Sequence, residues 1–147
     1  MLQEKLAIIA NYMWKQSIVA LNQTLSETEI RHFNMNDYYY LTVIDQMENP
    51  KLGQLADELR LTKPAISAIV KRLMKNDLIE KTQSEEDKRI FHLKVTEKGQ
   101  KIIEGDYKSF KDLSELLEHT VSQEQLNVLN QVLDQVVDQL KENNAEE

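Results

Sequence analysis

Lys51–Asn76, "KLGQLADELRLTKPAISAIVKRLMKN", holds two amphipathic helical patterns separated by three residues. In the first, Leu52, Leu55, Ala56 and Leu59 recur at spacings of three and four and line one face of a helix. Arg60-Leu61-Thr62 connects it to the second. There Thr62 is the expected N-cap, and Pro64 falls in the first turn, where its missing N–H costs nothing. Ile66, Ile69, Val70 and Leu73 form the stripe expected to be buried. With that stripe inward, Pro64, Ala68, Lys71 and Lys75 point away, flanked by Ser67 on one side and Arg72 on the other. This outer face is expected to carry no acid and no large apolar side chain. An ordinary amphipathic helix with a basic solvent face has the same pattern, so the spacing alone is weak evidence for a function.

After Asn76 the periodicity changes. "LIEKTQ" and "RIFHLKV" are short, β-branched and partly alternating, with "SEED" between them, and predict a β-hairpin. Two helices joined by a tight turn and followed by a hairpin form a winged helix-turn-helix pattern. Duplex recognition needs this layout: one helix crosses the phosphates while the second enters the major groove, whose width admits an α-helix. The hairpin can then reach an adjacent minor groove. On the second helix, Lys63 and Lys71 can meet phosphates or guanine edges, Ser67 either base or phosphate, and Ala68 a thymine methyl. The surface assigned to DNA is therefore Thr62, Lys63, Pro64, Ala65, Ser67, Ala68, Lys71 and Lys75.

A net charge of −7 looks wrong for such a role, but the total hides a division. Residues 51–101 hold 12 Lys+Arg against 8 Asp+Glu, while the remainder holds 6 against 17. The middle is basic and both flanks are acidic. Exposed charges act over roughly 8–10 Å before salt screens them, so the local sign matters more than the total.

Outward from the motif the chain reads as helices. Residues 2–24 carry Leu6, Ile9, Met13, Val19 and Ala20 at helical spacing, widened by Ile8, Tyr12, Trp14 and Ile18. "SETE", Ser26–Glu29, fits a capping box, and Asn36 is the expected N-cap of the helix that ends before Asn49-Pro50. Thr96 is expected to cap a helix carrying Ile102, Ile103, Tyr107, Phe110, Leu113, Leu116 and Leu117. "SQEQ", Ser122–Gln125, opens a last helix with Leu126, Leu129, Leu133, Val136, Val137 and Leu140 near heptad spacing. "ENNAEE" reads as a frayed tail. The expected fold is mainly α with a small β-hairpin wing. Its parts are an N-terminal helix (1–33), a winged domain (34–98), C-terminal helices (99–143) and a disordered tail (144–147).

With 147 residues and 41% hydrophobic content, the chain can bury a real core. It has no cysteine, so disulfides and thiol-based redox sensing are excluded. No apolar run approaches the roughly 20 residues that span a bilayer. Glu4, Lys5 and Asn11 interrupt the N-terminal apolar residues, so no secretory signal is expected and the expected location is cytoplasmic. His32, His92 and His119 are too scattered for a metal site, and no cofactor is expected. There is no Gly-rich phosphate loop and no nucleophile with a credible His partner, so an enzyme is not expected.

"LGQLADELRLTKPAISAIVKRLMKNDLIEKTQSEEDKRIFHLKVTEKG" resembles the MarR family of bacterial transcriptional regulators. The most specific part is its end: an acidic loop, Asp87-x-Arg89, an apolar strand and "VTEKG". The likeness spans about Asn36–Gly99 at motif level and the whole chain in element order. Arg60 and Asp77 depart from it, standing where the family often has Gly. The resemblance implies that Arg89 enters a minor groove and that Asp87 holds it by an ion pair. The spacing agrees, since residues i and i+2 of a strand share a face and would meet without a turn between them. Lys88, on the opposite face, is assigned to phosphate, and Glu85 and Glu86 to the solvated tip.

The resemblance also implies a homodimer built from the first helix and the last two, with Leu6, Ile9, Met13, Leu126, Leu129, Leu133, Val136 and Leu140 as candidate interface residues. It implies control by a small aromatic or anionic effector near Tyr12, Trp14, Met35, Tyr38, Tyr39 and Tyr40, although such a cluster at helical spacing is more often core. The function expected is a duplex-DNA-binding repressor on a palindromic operator. The alternative is a winged-helix protein-interaction module, which would show aromatic anchors on the outer helix face.

Overall fold

A computed structural model describes residues 1–145. In chain order the elements are α1 (Leu2–Thr24), α2 (Glu27–His32), α3 (Met35–Gln46), α4 (Leu52–Glu58), α5 (Lys63–Lys75), β1 (Ile79–Gln83), β2 (Phe91–Val95), α6 (Glu97–Thr120) and α7 (Gln123–Ala145). The chain divides into two compact units, Met1–Lys108 and Ser109–Glu147. The fold is mainly helical, with β1 and β2 paired as an antiparallel hairpin. Helix α7 continues through Ala145, further than the expected tail allows, and Glu146 and Glu147 lie outside the described residues.

The first unit is built around the stripe that the sequence marks. Ile66, Ile69, Val70 and Leu73 of α5 are all buried, and they join Leu41 and Ile44 of α3, Leu55 of α4, Leu78, Leu93 and Ile102 in one core. Removing a Leu or Ile side chain of this kind from water is worth about 1.5–3 kcal/mol. Strand register follows the same demand. Ile79 pairs with Val95 and Lys81 with Leu93, so the buried residues Ile79, Leu93 and Val95 collect on one face of the hairpin. The segment after α3 adds a short edge: Leu93 N–H donates to Pro50 O at 2.8 Å, and Lys51 bridges to His92.

Capping residues set the helix boundaries. Ser26 accepts from Glu29 N–H while the Glu29 carboxylate accepts from Ser26 N–H at 2.8 Å, which closes the box at α2. Ser122 and Gln125 do the same at α7. Thr96 Oγ1 accepts from Gly99 N–H at 3.1 Å and donates to Asp77 O at 2.6 Å, so one hydroxyl joins the start of α6 to the end of α5. At α3 the expectation was off by two residues. Asn34, not Asn36, is the cap, with its Oδ1 accepting from Asn36 N–H and its own N–H donating to Asp37 Oδ2 at 2.9 Å.

In the second unit, the end of α6 and α7 leave a broad apolar surface open. Phe110, Leu116, Val128, Val132, Leu133, Val136, Val137 and Leu140 are exposed, and Leu126 and Leu129 are half-buried. The first unit leaves Leu2, Leu6, Ile8, Ile9, Tyr12, Trp14 and Ile18 of α1 exposed in the same way.

Two consequences can be measured. Gly99 sits so close to the backbone carbonyl of Leu78 that a Cβ would collide with it and approach Val95 Cγ1 to 2.6 Å. Gly99→Ala should therefore lower unfolding stability by about 1–3 kcal/mol in denaturant titration. Glu29 is also held by Lys98 of α6 in an ion pair, and that hydrogen bond is the main cause that lowers its pKa from 4.5 to about 2. A lowered folded pKa means its contribution is complete above about 4.5 and is lost as pH falls toward about 2. Glu29→Gln should flatten that part of the acid-unfolding curve, and an unchanged curve would remove Glu29 from the acid response.

Candidate nucleic-acid interface

Helix α5 presents its outer face because its inner face is fully committed to the core. Thr62 Oγ1 accepts from Ala65 N–H at 3.3 Å, and Pro64 occupies the first turn. Lys63, Pro64, Ser67, Ala68, Lys71 and Lys75 are exposed, as is Thr62, while Ala65 is half-buried. The helix contains no Asp or Glu from Lys63 to Lys75, so every charge on its exposed surface is positive. One expectation fails here. Met74 is 38% exposed, which adds a large apolar side chain on the Ser67–Lys71 side. It stands seven residues after Ser67 and three after Lys71, a spacing that puts all three on neighbouring rows.

Arg72 also departs from its expected place beside the outer face. It turns inward, and its Nε donates to Asp37 Oδ2 at 3.2 Å while its terminal nitrogen donates to Asp37 Oδ1. Asp37 is 0% exposed and Arg72 36%. The Asp37 carboxylate thus serves two masters in the first turn of α3: the Asn34 N–H and the Arg72 guanidinium. Asp37 raises the Arg72 pKa above its ordinary value, chiefly through this hydrogen bonding, while burial opposes it. The pair fixes α5 against rotation about its own axis. Periodicity misses it because Asp37 and Arg72 lie 35 residues apart on different helices. The available signal was a charged residue at a position flanking a buried stripe.

At the hairpin tip, Asp87 and Arg89 do meet, but not as strand neighbours. The strands end at Gln83 and begin again at Phe91, so both residues lie in the connecting turn. Ile90 N–H donates to Asp87 O at 2.9 Å, closing the turn, and Ser84 N–H donates to Ile90 O at 2.9 Å. Within it, Asp87 Oδ1 accepts from Arg89 N–H at 3.0 Å and from Nε at 3.1 Å, and Oδ2 accepts from the terminal nitrogen at 3.1 Å. The turn therefore brings the carboxylate to Arg89, where an extended i, i+2 pair was expected. Arg89 is 91% exposed, so a guanidinium braced on one edge stands in solvent. The same contacts hold the Asp87 carboxyl below its ordinary pKa, first through the Arg89 side chain and then its backbone. Lys88 is exposed and its carbonyl accepts from Gln83 Nε2 at 2.6 Å, while Glu85 and Glu86 are exposed beside it.

The six candidate effector residues are dispersed over α1 and α3. Tyr38 and Tyr40 are half-buried against the core, and Tyr38 Oη donates to Ile102 O at 2.9 Å. Tyr39 is exposed, its ring centroid 6.1 Å from that of Tyr40. Tyr12 and Trp14 are exposed on α1. Met35 lines an open cavity of about 490 Å³ with Arg31, His32, Phe33, Asn34 and Arg72. Among the described residues, no group of three or more His, Asp and Glu is placed to hold a metal ion, and no helix is long and apolar enough to cross a membrane.

A helix-turn-helix with a cationic second helix and a hairpin bearing an exposed, braced Arg defines a winged helix-turn-helix protein. The model of the MarR family matches residues 33–91, a stretch that runs from the residue before the α3 cap Asn34 to the start of β2. The chain is 35% identical over 72 residues to the HTH-type transcriptional regulator BilQ of Clostridioides difficile, covering 49% of this chain and 48% of that protein. The chain spans about half the length of the curated relatives it matches. Two solved structures share the fold over nearly the whole chain. Streptococcus pneumoniae FabT in complex with DNA has a TM-score of 0.66 at 23% identity, with 96% of each chain covered. The Staphylococcus aureus MepR–DNA complex has a TM-score of 0.69 at 19% identity, with 91% of this chain and 96% of that one covered.

The Asp37–Arg72 pair gives a direct test. Asp37→Ala leaves both the Arg72 guanidinium and the Asn34 N–H without their acceptor, which should cost about 1–3 kcal/mol in unfolding stability. Wild-type stability in that variant would show that the pair does not hold α5 in place.

Proposed function

We propose that this chain is a sequence-specific regulator of transcription, acting in the cytoplasm as a homodimeric repressor on a palindromic operator. The observation that carries this reading is the acid-free exposed face of α5 beside a wing whose Arg89 is held by Asp87. On α5, Lys63, Lys71 and Lys75 meet phosphates or guanine edges, while Ser67 and Ala68 lie close enough to read base edges. Arg89 enters the flanking minor groove. Because Asp87 already restricts its rotamers, less side-chain freedom is lost on insertion into a narrow, negative groove. The protein-interaction alternative draws on Met74, but one exposed Met among lysines gives a partner no aromatic anchor. No enzymatic role is proposed.

FabT and MepR, similar to this chain in fold, are both solved with DNA, which supports the same use of the winged domain here. The exposed apolar residues of α1 and α7 support a dimer, with Leu6, Ile9, Met13, Leu126, Leu129, Leu133, Val136 and Leu140 in its interface. Two-fold assembly would bring two winged domains to two half-sites about one helical turn apart. The acidic flanks, repelled by the duplex, would favour presenting the basic domain to it. A small aromatic or anionic effector bound near Met35 and the tyrosines of α3 is the proposed control.

Selection of bound sequences from random duplex DNA should return a palindrome, and affinity for it should fall steeply with salt. A flat salt response would sink phosphate-led binding. Arg89→Ala should weaken binding by about 1–2 kcal/mol per half-site while thermal unfolding stays nearly unchanged, because an ion pair this exposed to solvent adds little to stability. Asp87→Ala should weaken binding less than Arg89→Ala. Tighter binding by that variant would mean the acid only repels DNA.

A further inference from the structure

Among the described residues, Glu48, Asn49, Arg60 and Asp77 have positive φ without being glycine. Asn and Asp tolerate the left-handed region because their short polar side chains can bond locally, whereas a long side chain such as Arg enters it at a cost. At Arg60 the backbone demands this conformation. Leu61 N–H donates to Ala56 O at 2.9 Å and Arg60 N–H to Asp57 O at 3.1 Å, a helix-ending motif that requires a left-handed residue at its hinge. Arg60 is that residue, with φ 51°, and half-buried Leu61 packs the motif against the core. The same motif ends α5, where Leu78 N–H donates to Leu73 O and Asp77, at φ 58°, is the hinge. Glycine would satisfy either hinge without strain.

The Arg60 side chain gives nothing back within the chain that would offset this strain specifically. It is exposed, and its guanidinium makes no hydrogen bond or ion pair among the described residues. A cation at the end of α4 is favoured by the helix dipole, but that benefit is small at an exposed site and falls off with screening. Its position is more telling. Arg60 stands between α4, the helix that crosses the phosphates in a helix-turn-helix, and the first turn of α5, whose residues enter the groove. Asp57 and Glu58 precede it on α4 and are exposed, so without Arg60 the stretch Asp57–Lys63 would carry a net negative charge where the rim of the groove must approach.

We propose that Arg60 is a phosphate-contacting residue, aimed from the left-handed hinge between α4 and α5 at a non-bridging oxygen on the rim of the major groove. The proposal rests on the reading of the chain as a duplex-DNA binder. Such a contact fixes the register of α5 in the groove and carries no sequence information of its own.

The test is a salt series on the full chain with Arg60→Asn, which keeps a residue tolerant of left-handed φ, and with Arg60→Lys. Both are measured on the selected operator and on an unrelated duplex. Arg60→Asn should bind both duplexes several-fold more weakly, in similar proportion. The slope of log affinity against log salt should be shallower by about 0.9 for each Arg60 engaged, or about 1.8 for a two-fold dimer. Its melting temperature should equal or exceed that of the wild type, and Arg60→Lys should retain most of the slope. Wild-type affinity and slope in Arg60→Asn would overturn the proposal, as would a loss confined to the operator, which marks a base-reading residue. If Arg60→Asn melts lower, Arg60→Gly, free of hinge strain, takes its place with the same expected and overturning outcomes. Failure of the wild type to bind any duplex would defeat the functional reading itself, and is seen before any variant is compared.

Discussion

The packing of α5 on the core governs everything this protein offers to a partner. Ile66, Ile69, Val70 and Leu73 are buried together with residues from α3, α4 and the hairpin, so α5 can neither slide nor roll without exposing them. Rotation is opposed a second time by Arg72, whose guanidinium is fastened to the buried Asp37 carboxylate of α3. A helix held by apolar packing alone can repack by small shifts at modest cost, but a bidentate ion pair has a defined geometry and loses most of its energy when misaligned. The outward direction of Lys63, Ser67, Ala68 and Lys71 is therefore set by groups on the opposite side of the helix.

The wing obeys a different logic. Its base is tied to the core through Ile79, Leu93 and Val95, while its tip has no apolar anchor and is organised by hydrogen bonds within one turn. Asp87 bonds the Arg89 backbone and side chain at once, so the same carboxylate shapes the loop and orients the cation. The acids of "SEED" thus divide. Asp87 is structural to the tip, whereas Glu85 and Glu86 are exposed and have no contact that assigns them a role.

Much of the fold is legible in the chain because apolar periodicity and capping chemistry are local. The stripe of α5, the Thr62 cap, the boxes at Ser26 and Ser122, and the switch to alternation at the hairpin all depend on residues within a few positions of each other. Misreadings occurred where a distant group competes. Asn36 looks like a cap until Asp37, drawn toward Arg72, closes the box on Asn34 instead. Arg72 looks like a surface cation until α3 supplies a buried carboxylate.

The sequence by itself determined the order of elements, the cationic outer face of α5, and the presence of an acid two residues before Arg89. Those features need only spacing and side-chain type. Tertiary structure alone decided that Arg72 serves the interior, that Met74 emerges on the exposed surface, and that Asp87 reaches Arg89 through a turn rather than along a strand. It also showed that Arg60 occupies a left-handed hinge. The physical reason is common to all four. Each depends on where the backbone goes or on what lies across the core, and neither is carried by the identity of neighbouring residues alone.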